Sequence, residues 1–365
     1  MNPETSTSRK LRWGILGTGR IVRRNWQAML DSETATLVAV ASRDINRAQD
    51  FIREMQEIAP WPNEPVALGS YEELLARDDI DAVYIPLPTG IRKEWIIRAA
   101  EAGKHILCEK PCAASIADLV EIVKVCDKHQ LLFMDGVMFM HDPRFERLRK
   151  VLDDEISVGK VRRITSAFSF LPGPEFEQND IRAQVAMEPA GCIGDLGWYC
   201  IRAALWVMKG EMPVQVKCRH LEGEKLPGDS EPLMAVSAEM DFADGTTAAF
   251  YCSFRAANQS WLHVSGTEGE VRIDDFVVPK PENPDDYQVG FQRFPKPAGP
   301  GLSNAARMFA RFAHDLISGS SETKWHLWSL KTQAVLEACV ISARKNLVVG
   351  MNDKARLRNE MAPKQ

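Results

Sequence analysis

Residues 12–22 read Arg12-Trp-Gly-Ile-Leu-Gly-Thr-Gly-Arg-Ile-Val22, and this stretch decides the fold. A short apolar run, typical of a buried strand, ends at Gly17-Thr-Gly19, and a helix pattern starts directly after it. Paired glycines at such a junction permit a tight turn and let a phosphate approach the free N–H groups of the helix. The stretch therefore predicts the strand, turn and helix that open a dinucleotide-binding domain. Val22 occupies the third glycine position, which governs helix packing rather than phosphate contact.

The surrounding sequence continues this alternation of strand and helix. Further strands are predicted at residues 37–42, 82–86, 105–108 and 131–135, with helix patterns between them. Such alternation indicates right-handed crossovers and a parallel sheet that is covered on both faces. After residue 137 the pattern changes to five strands with few helices between them, which favours a mostly antiparallel sheet.

The predicted fold class is therefore α/β, with an N-terminal Rossmann domain at residues 11–137. A C-terminal α+β domain with a large, mostly antiparallel open sheet is predicted at residues 138–350, between flexible tails at residues 1–10 and 351–365. Residues 278–301 contain six prolines and three glycines, and we expect a long excursion or lid loop there.

Composition excludes several classes of function. The 365 residues carry a net charge of −5, whereas binders of nucleic acid or anionic membranes have a basic surplus. The N-terminus lacks the apolar core of a secretion signal, so a cytoplasmic location is expected. The eight cysteines lie in apolar segments without metal-ligand spacing, which indicates buried reduced thiols and no metal site.

The end of the second predicted strand indicates which dinucleotide binds. An NAD site usually has an acid there that binds the ribose 2′-hydroxyl. This chain has Ser42 and Arg43, with Arg47 one helical turn later. Because arginine suits a 2′-phosphate, NADP(H) is the preferred cofactor. Asp44 follows directly, so NAD(H) stays possible.

Two further stretches place charged groups where a sheet strand or a helix meets a cleft. The fourth strand ends in Glu109-Lys110-Pro111, at the sheet edge where nucleotide and substrate meet in such folds. In the second half, Asp195, Tyr199 and Arg202 follow at helical spacing and are expected to share one face. The same spacing also fits a structural stripe, so the pattern alone leaves both interpretations open.

Together these motifs resemble the glucose-fructose oxidoreductase / inositol dehydrogenase / MocA family, over roughly residues 11–349. Tyr199, where many relatives have histidine, is similar to the branch of dimeric dihydrodiol dehydrogenase and NADP-dependent D-xylose dehydrogenase. The resemblance implies hydride transfer between nicotinamide and a sugar, polyol or trans-diol. It also implies a homodimer or homotetramer built through the C-terminal sheet, and a cis bond before Pro111.

The resemblance and the strand ends together define the expected site. The residues expected to hold the nucleotide are Gly17, Thr18, Gly19, Arg20, Ile21, Ser42, Arg43, Arg47, Pro86, Leu87, Pro88, Thr89, Glu109 and Lys110. Arg182 and Arg202 are weaker candidates for substrate contact. Thr89 and Arg92 replace an asparagine and a histidine common in the family, Cys192 replaces a glycine, and Arg92 is expected to change the polarity of the cleft edge.

The expected chemistry centres on Tyr199 as general acid/base. A free tyrosine has a pKa of about 10, and a nearby Lys110 ammonium is expected to lower it. Asp195 would orient this pair and bind a substrate hydroxyl. An alternative makes Lys110 the proton-transfer group, with its pKa depressed by burial. Two other functions stay open: a catalytically silent sensor or regulatory protein of this fold, and an oxidoreductase that keeps its nucleotide bound while cycling between substrates.

Overall fold

The computed structural model describes residues 9–223, 226–280, 285–296, 301–319 and 324–351. In the first unit, six strands alternate with five helices, as the sequence predicts. The strands are β1 (Leu11–Leu16), β2 (Ala35–Ala41), β3 (Val66–Leu68), β4 (Ala82–Ile85), β5 (His105–Cys108) and β6 (Phe133–Asp135). The helices are α1 (Arg20–Asp31), α2 (Ile45–Ile58), α3 (Tyr71–Leu75), α4 (Thr89–Glu101) and α5 (Ile116–Lys128).

All six strands are parallel, in the order β3-β2-β1-β4-β5-β6. β4 is buried along its whole length because helices cover both faces of the sheet, so its sequence is a continuous apolar run. The order reverses between β1 and β4, which opens a crevice at the carboxyl ends of these two strands. The predicted Rossmann architecture is confirmed.

The sequence missed β3 at the edge of this sheet. Val66–Leu68 has only three residues and is partly exposed, too short to show the alternation by which strands are recognised.

The second sheet has nine strands in the order β14-β13-β12-β11-β7-β10-β9-β8-β15. Its strands are β7 (Val161–Ser169), β8 (Gln215–His220), β9 (Ala235–Asp241), β10 (Thr247–Ser253), β11 (Gln259–Gly266), β12 (Glu270–Asp274), β13 (Asp285–Val289), β14 (Gln292–Pro295) and β15 (Val349–Gly350). Among the described strand pairs of this second sheet, only β7–β10 is parallel. The sheet is therefore mostly antiparallel, as predicted.

The expectation of an irregular loop at residues 278–301 is wrong for its middle part. β13 and β14 pair there as an antiparallel hairpin that extends the edge of the sheet. Tyr287 stacks on Phe294 with ring centroids 4.7 Å apart, so a local apolar contact stabilises the hairpin between the prolines. Residues 281–284 and 297–300 lie outside the described residues.

Five further α-helices lie in the described part of the second half, some packed on the second sheet and some against the first unit. They are α6 (Pro143–Asp153), α7 (Phe176–Asn179), α8 (Trp198–Val207), α9 (Asn304–Ser318) and α10 (Trp325–Lys345). Although α9 belongs to the predicted second domain by sequence, it packs against α1 of the first. Phe309 and Phe312 contact Trp13 of β1 with ring centroids 5.4 and 4.9 Å apart. Within the described ranges, no helix has the length and hydrophobicity needed to cross a membrane.

Candidate active site

The turn after β1 is built to receive a phosphate. Gly17 has a φ of +107°, which L side chains rarely adopt. Gly19 is the N-cap residue of α1. No side chain of the described residues caps the helix there, and its first turn has no acidic residue. The first N–H groups of α1 are therefore available to an anion such as a dinucleotide pyrophosphate. Thr18 and Ile21 are half-buried beside this turn, and Arg20 is exposed.

At the end of β2, two guanidinium groups are exposed beside a tyrosine. Ser42 is buried, while Arg43 and Arg47 are exposed. Burial raises the pKa of Tyr71, and the charges of Arg43 and Arg47 act in the opposite direction, which places both near its phenol. Asp44 caps α2, because its Oδ1 accepts the N–H of Asn46 at 2.9 Å. These residues fit a nucleotide with a 2′-phosphate.

The ledge after β4 consists of Pro86, Leu87 and Pro88, of which Leu87 is buried. Thr89 follows it, but the Thr89 hydroxyl donates to Glu188 Oε2 at 2.6 Å. The Thr89 backbone N–H also donates to Glu188, at Oε1 and 3.2 Å, so a contact of these groups with the nucleotide would require the bonds to Glu188 to break.

Arg92 does not lie at the cleft edge, so the expectation that it changes the polarity there is wrong. Its side chain is buried, and its guanidinium donates to backbone carbonyls from two strand ends. Position 92 lies on the inner face of α4, which explains why the charge is turned inward.

The Glu109-Lys110-Pro111 segment leaves β5 beside the ledge, and the Lys110–Pro111 peptide bond is cis, as the resemblance implies. Glu109 Oε1 accepts the Tyr84 hydroxyl at 2.7 Å, and the Asn25 amide donates to the Tyr84 oxygen at 2.5 Å. The Glu109 carboxylate is thus anchored to α1 and β4. Sequence analysis missed this network, although tyrosine and asparagine on otherwise apolar buried faces are a recognisable signal.

The second half of the site lies on a π-helical turn, Ile193–Gly197, that continues into α8. Lys110 Nζ donates to Asp195 Oδ1 at 2.7 Å and to the Asp195 backbone carbonyl at 2.8 Å. The same nitrogen lies 5.0 Å from the centre of the Tyr199 ring. None of the described residues hydrogen-bonds the Tyr199 hydroxyl, so it can donate to a substrate oxygen. The structure thus brings Lys110, Asp195 and Tyr199 together across the two units.

The charge states of these three groups follow from burial and from their mutual contacts. Burial raises the pKa of Tyr199 to about 12, and the opposing effect of Lys110 does not overcome it. Burial lowers the pKa of Lys110, but Asp195 and Tyr199 outweigh it, so the pKa lies above its ordinary value. Burial also raises the pKa of Asp195, but Lys110 and Arg182 hold it below the ordinary value. At neutral pH the site therefore contains an ammonium, a carboxylate and a neutral phenol.

Two sequence-based expectations about these pKa values are wrong. The pKa of Tyr199 is raised and not lowered, because burial of the phenol destabilises the tyrosinate more than the neighbouring ammonium stabilises it. The depressed pKa that the alternative assigned to Lys110 is also absent, because the ammonium is in direct contact with a carboxylate. Both Tyr199 and Lys110 therefore keep their protons at neutral pH, and Lys110 keeps its charge.

Arg182 borders this cluster and pairs with two acids. It contacts Asp180 Oδ2 at 2.8 Å and Asp195 Oδ2 at 3.3 Å. Its guanidinium also lies 5.1 Å from each of the Phe170 and Phe176 ring centres. The side chain is 27% exposed, so it reaches the edge of the site. Both oxygens of Asp195 are therefore engaged, one by Lys110 and one by Arg182.

Arg202 does not line the cleft, and the expectation of a substrate contact is wrong. It is fully buried, with Nη2 2.5 Å from Asp135 Oδ2 and Nε donating to Thr332 Oγ1 at 2.7 Å. Because the chain leaves the π-helical turn before α8, Arg202 does not project to the same place as Asp195 and Tyr199. It ties β6 to α8 and α10.

Two family models match the chain. The first, described as the Gfo/Idh/MocA oxidoreductase family with an NAD-binding Rossmann fold, matches residues 11–137. The second, the Gfo/Idh/MocA C-terminal domain, matches residues 145–272.

Several similar proteins have names that describe enzymes acting on sugars. The chain is 30% identical to a dTDP-3,4-didehydro-2,6-dideoxy-alpha-D-glucose 3-reductase of Actinomadura kijaniata, over 92% of this chain and 96% of the relative. It is 31% identical to a D-xylose 1-dehydrogenase (NADP(+)) of Haloferax volcanii, over 72% and 75%. Among solved structures, a tyrosine-to-phenylalanine mutant of a 3-ketoreductase from Actinomadura kijaniata, in complex with TDP-benzene and NADP, superimposes with a TM-score of 0.76 at 26% identity. That superposition covers 92% of this chain and 98% of the other.

Proposed function

We propose that this chain, which belongs to the Gfo/Idh/MocA oxidoreductase family, transfers a hydride between NADP(H) and a hydroxyl or carbonyl group of a sugar, polyol or trans-diol. The observation that carries the proposal is the meeting of Lys110, Asp195 and Tyr199 at the carboxyl end of β5. A neutral phenol next to a fixed ammonium is what reduction of a carbonyl requires from the protein.

When bound, the nicotinamide would supply or accept the hydride. In the reducing direction, Tyr199 donates its proton to the substrate oxygen, which becomes the hydroxyl of the product. Lys110 stabilises the negative charge on the substrate oxygen and then the tyrosinate that is left behind. In the oxidising direction the same groups act in reverse, and Tyr199 takes the hydroxyl proton. Asp195 fixes the position of the Lys110 ammonium throughout.

The preference for NADP(H) is supported by the end of β2. Arg43 and Arg47 are exposed at the place where a 2′-phosphate would lie, and Asp44 is engaged as a helix cap. Two similar proteins carry NADP in their names or complexes, which agrees with this preference. NAD(H) remains the second nucleotide to test.

The charges around the site favour a neutral substrate rich in hydroxyl groups. The cations of Lys110 and Arg182 are matched by the carboxylates of Asp195 and Asp180. No positive charge of this cluster is left to bind the carboxylate of an acid substrate. The Arg182 guanidinium instead offers N–H groups that can bind hydroxyl oxygens. Sugars, polyols and trans-diols meet that condition.

The test is the nicotinamide absorbance change of the purified protein with NADP⁺ and NAD⁺ separately, on aldoses, polyols and a trans-dihydrodiol. Turnover with NADP⁺ on one class, and loss of it in Lys110→Ala, is the expected result. Tight NADP(H) binding without turnover on any substrate would favour the silent sensor. Substoichiometric reduction that continues only when a second carbonyl substrate is added would favour a nucleotide that stays bound and cycles.

We also propose that the outer face of the second sheet joins two copies of the chain. In register across neighbouring strands, this face carries Trp261, Ala167 and Tyr251. Half-buried aromatic groups beside small residues are typical of interface centres. Glu239 and Arg272 are exposed on other strands of the same face and carry opposite charges. Light scattering after size exclusion should give a dimer or tetramer, Trp261→Arg should give smaller species, and a wild-type monomer would contradict the proposal.

A cytoplasmic location is proposed from the cysteines. All eight are buried and free, including Cys192 and Cys252, whose sulfur atoms are 3.9 Å apart. Disulfides are common in oxidising compartments and rare in the cytosol. Labelling of unfolded protein under non-reducing conditions should count eight thiols, and a protected pair would contradict this location.

A further inference from the structure

Arg92 is a buried cation that lies between the two strand ends of the site. Its Nε donates to the Leu87 carbonyl on the ledge at 2.8 Å, and its Nη1 donates to the Glu109 carbonyl at 2.8 Å. Nη1 also donates to the Pro111 carbonyl. Only 3% of the residue is exposed, so these bonds form away from competing water.

The two carbonyls from the β5 end belong to the residues on either side of Lys110. The backbone of Lys110 is therefore held from both sides by a single guanidinium. At the other end of the side chain, Asp195 holds the Lys110 ammonium by two bonds of 2.7 and 2.8 Å. Both ends of Lys110 are thus constrained.

Arginine suits this task because its planar fork carries five N–H donors. A lysine can donate to some of the same carbonyls but cannot reproduce the fork. Arg92 also keeps the ledge and the Glu109–Pro111 segment at a constant separation, since one side chain bonds both. Thr89, the neighbouring departure from the family pattern, ties the same corner to Glu188 of the second unit at 2.6 Å.

We propose that Arg92 is a positioning residue for Lys110, acting through the carbonyls of Glu109 and Pro111 and not through contact with substrate. The inference rests on the proposed function, because Lys110 matters only if Tyr199 exchanges a proton. Without Arg92 the backbone around Lys110 can move, and a displacement of about 1 Å in a reacting group costs on the order of a hundredfold in rate.

The test compares Arg92→Met and Arg92→Lys with Arg98→Met. Arg98 lies on the same helix but is 44% exposed and pairs with Glu72 and Glu94 at the surface. For each variant, kcat, KM, NADPH affinity by nucleotide fluorescence, the pH profile of oxidation and the folded fraction are measured. Hydrogen exchange of the peptide covering residues 105–112 gives a readout that needs no turnover.

In Arg92→Met, kcat per folded molecule should fall about tenfold to a hundredfold, while KM and NADPH affinity stay within about threefold of Arg98→Met. The alkaline limb of the oxidation profile should move to higher pH, because Tyr199 loses part of the field of Lys110. Exchange of residues 105–112 should become faster than in Arg98→Met. Arg92→Lys should recover part of kcat.

The inference is overturned if Arg92→Met and Arg98→Met share the same kcat and pH profile per folded molecule. It is also overturned if lost nucleotide affinity accounts for the whole effect. If Arg92→Met does not fold, Arg92→Lys becomes the test of the proposal. Wild-type kcat together with wild-type hydrogen exchange in Arg92→Lys would show that the guanidinium group is not needed. A wild-type protein without turnover would instead refute the proposed function. Unchanged hydrogen exchange of residues 105–112 in the Arg92 variants would separately refute the positioning role.

Discussion

Replacement of Lys110 by methionine removes the charge that most strongly opposes the effect of burial on the pKa of Tyr199. The ammonium lies 5.0 Å from the centre of the Tyr199 ring. At an effective dielectric constant of about 20, a unit charge at that distance stabilises the tyrosinate by about 3 kcal/mol. This corresponds to roughly a hundredfold in rate if the proton is transferred in the limiting step.

The loss should occur in both directions of the reaction, because the tyrosinate is formed in reduction and required in oxidation. Burial already raises the pKa of Tyr199 to about 12, so the oxidation rate of the wild type should rise with pH up to at least pH 10. Ionisation of Tyr199 should not make the reduction rate vary with pH over the same range, because the phenol stays protonated there. In Lys110→Met both rates should fall, while the direction of each pH dependence stays the same.

The assay is steady-state turnover in both directions, with NADPH affinity measured separately. Lys93→Met is the matched control, since Lys93 is also on the first unit and pairs with Asp118 and Glu121 at the surface. Adding a small alkylammonium ion should restore part of the rate of Lys110→Ala, in which the truncated side chain leaves room for the ion, and should not affect Lys93→Met. Wild-type kcat in Lys110→Met, at unchanged nucleotide affinity, would refute the role given to this ammonium.

Three other variants, one of them a double substitution, test the nucleotide site and two buried charged or titratable groups. Arg43→Ala with Arg47→Ala should weaken NADPH binding by about tenfold to a hundredfold and leave NADH binding unchanged, and equal loss for both nucleotides in a titration would contradict the 2′-phosphate site. The Nε2 of His141 is buried and has no hydrogen-bond partner among the residues that the structure describes, and burial lowers the pKa of His141 to about 3. As the pH falls, this histidine is therefore protonated in the unfolded chain before it is protonated in the folded one. The free energy of unfolding should then decrease between about pH 6.5 and pH 3, by up to about 1.4 kcal/mol per pH unit. His141→Phe should remove this contribution to the pH dependence, as measured by denaturant titrations. Arg202→Met should lower stability by about 3–5 kcal/mol because it leaves Asp135 buried and unpaired, and an unchanged melting curve would show that the pair is not needed.

The parallel half of the fold could be predicted because its signals are local. The apolar run before Gly17 and the alternation after it require only neighbouring residues, and the ends of parallel strands converge at one edge whatever the rest of the chain does. The family assignment from Glu109-Lys110-Pro111 and Tyr199 is confirmed by the two family models. Short elements such as Val66–Leu68 were missed because they have too few residues for a pattern.

The contacts of charged residues were harder to predict, because they depend on which partners the folded chain supplies. Arg92 could have been found, since it lies at i, i+4 and i+7 spacing with Ile96 and Ala99 on the buried face of α4. Arg202, within the apolar stretch of α8, carried a similar signal of a buried ion pair. The pKa of Tyr199 could not be predicted, because it depends on the balance between burial and several charges that the fold brings close, with Lys110 the strongest of them.

The most direct test of the central claim is label transfer from NADPH deuterated on the transferable hydrogen. The purified protein is mixed with this nucleotide and a ketone form of a substrate that supports turnover, and the product is analysed by mass spectrometry. We expect deuterium on the carbon that bears the new hydroxyl group. The label should appear in a single turnover, whether or not the nucleotide dissociates. It also predicts that Tyr199→Phe binds the nucleotide but transfers little label. Product without deuterium, or full transfer by Tyr199→Phe, would contradict hydride transfer with Tyr199 as the proton donor.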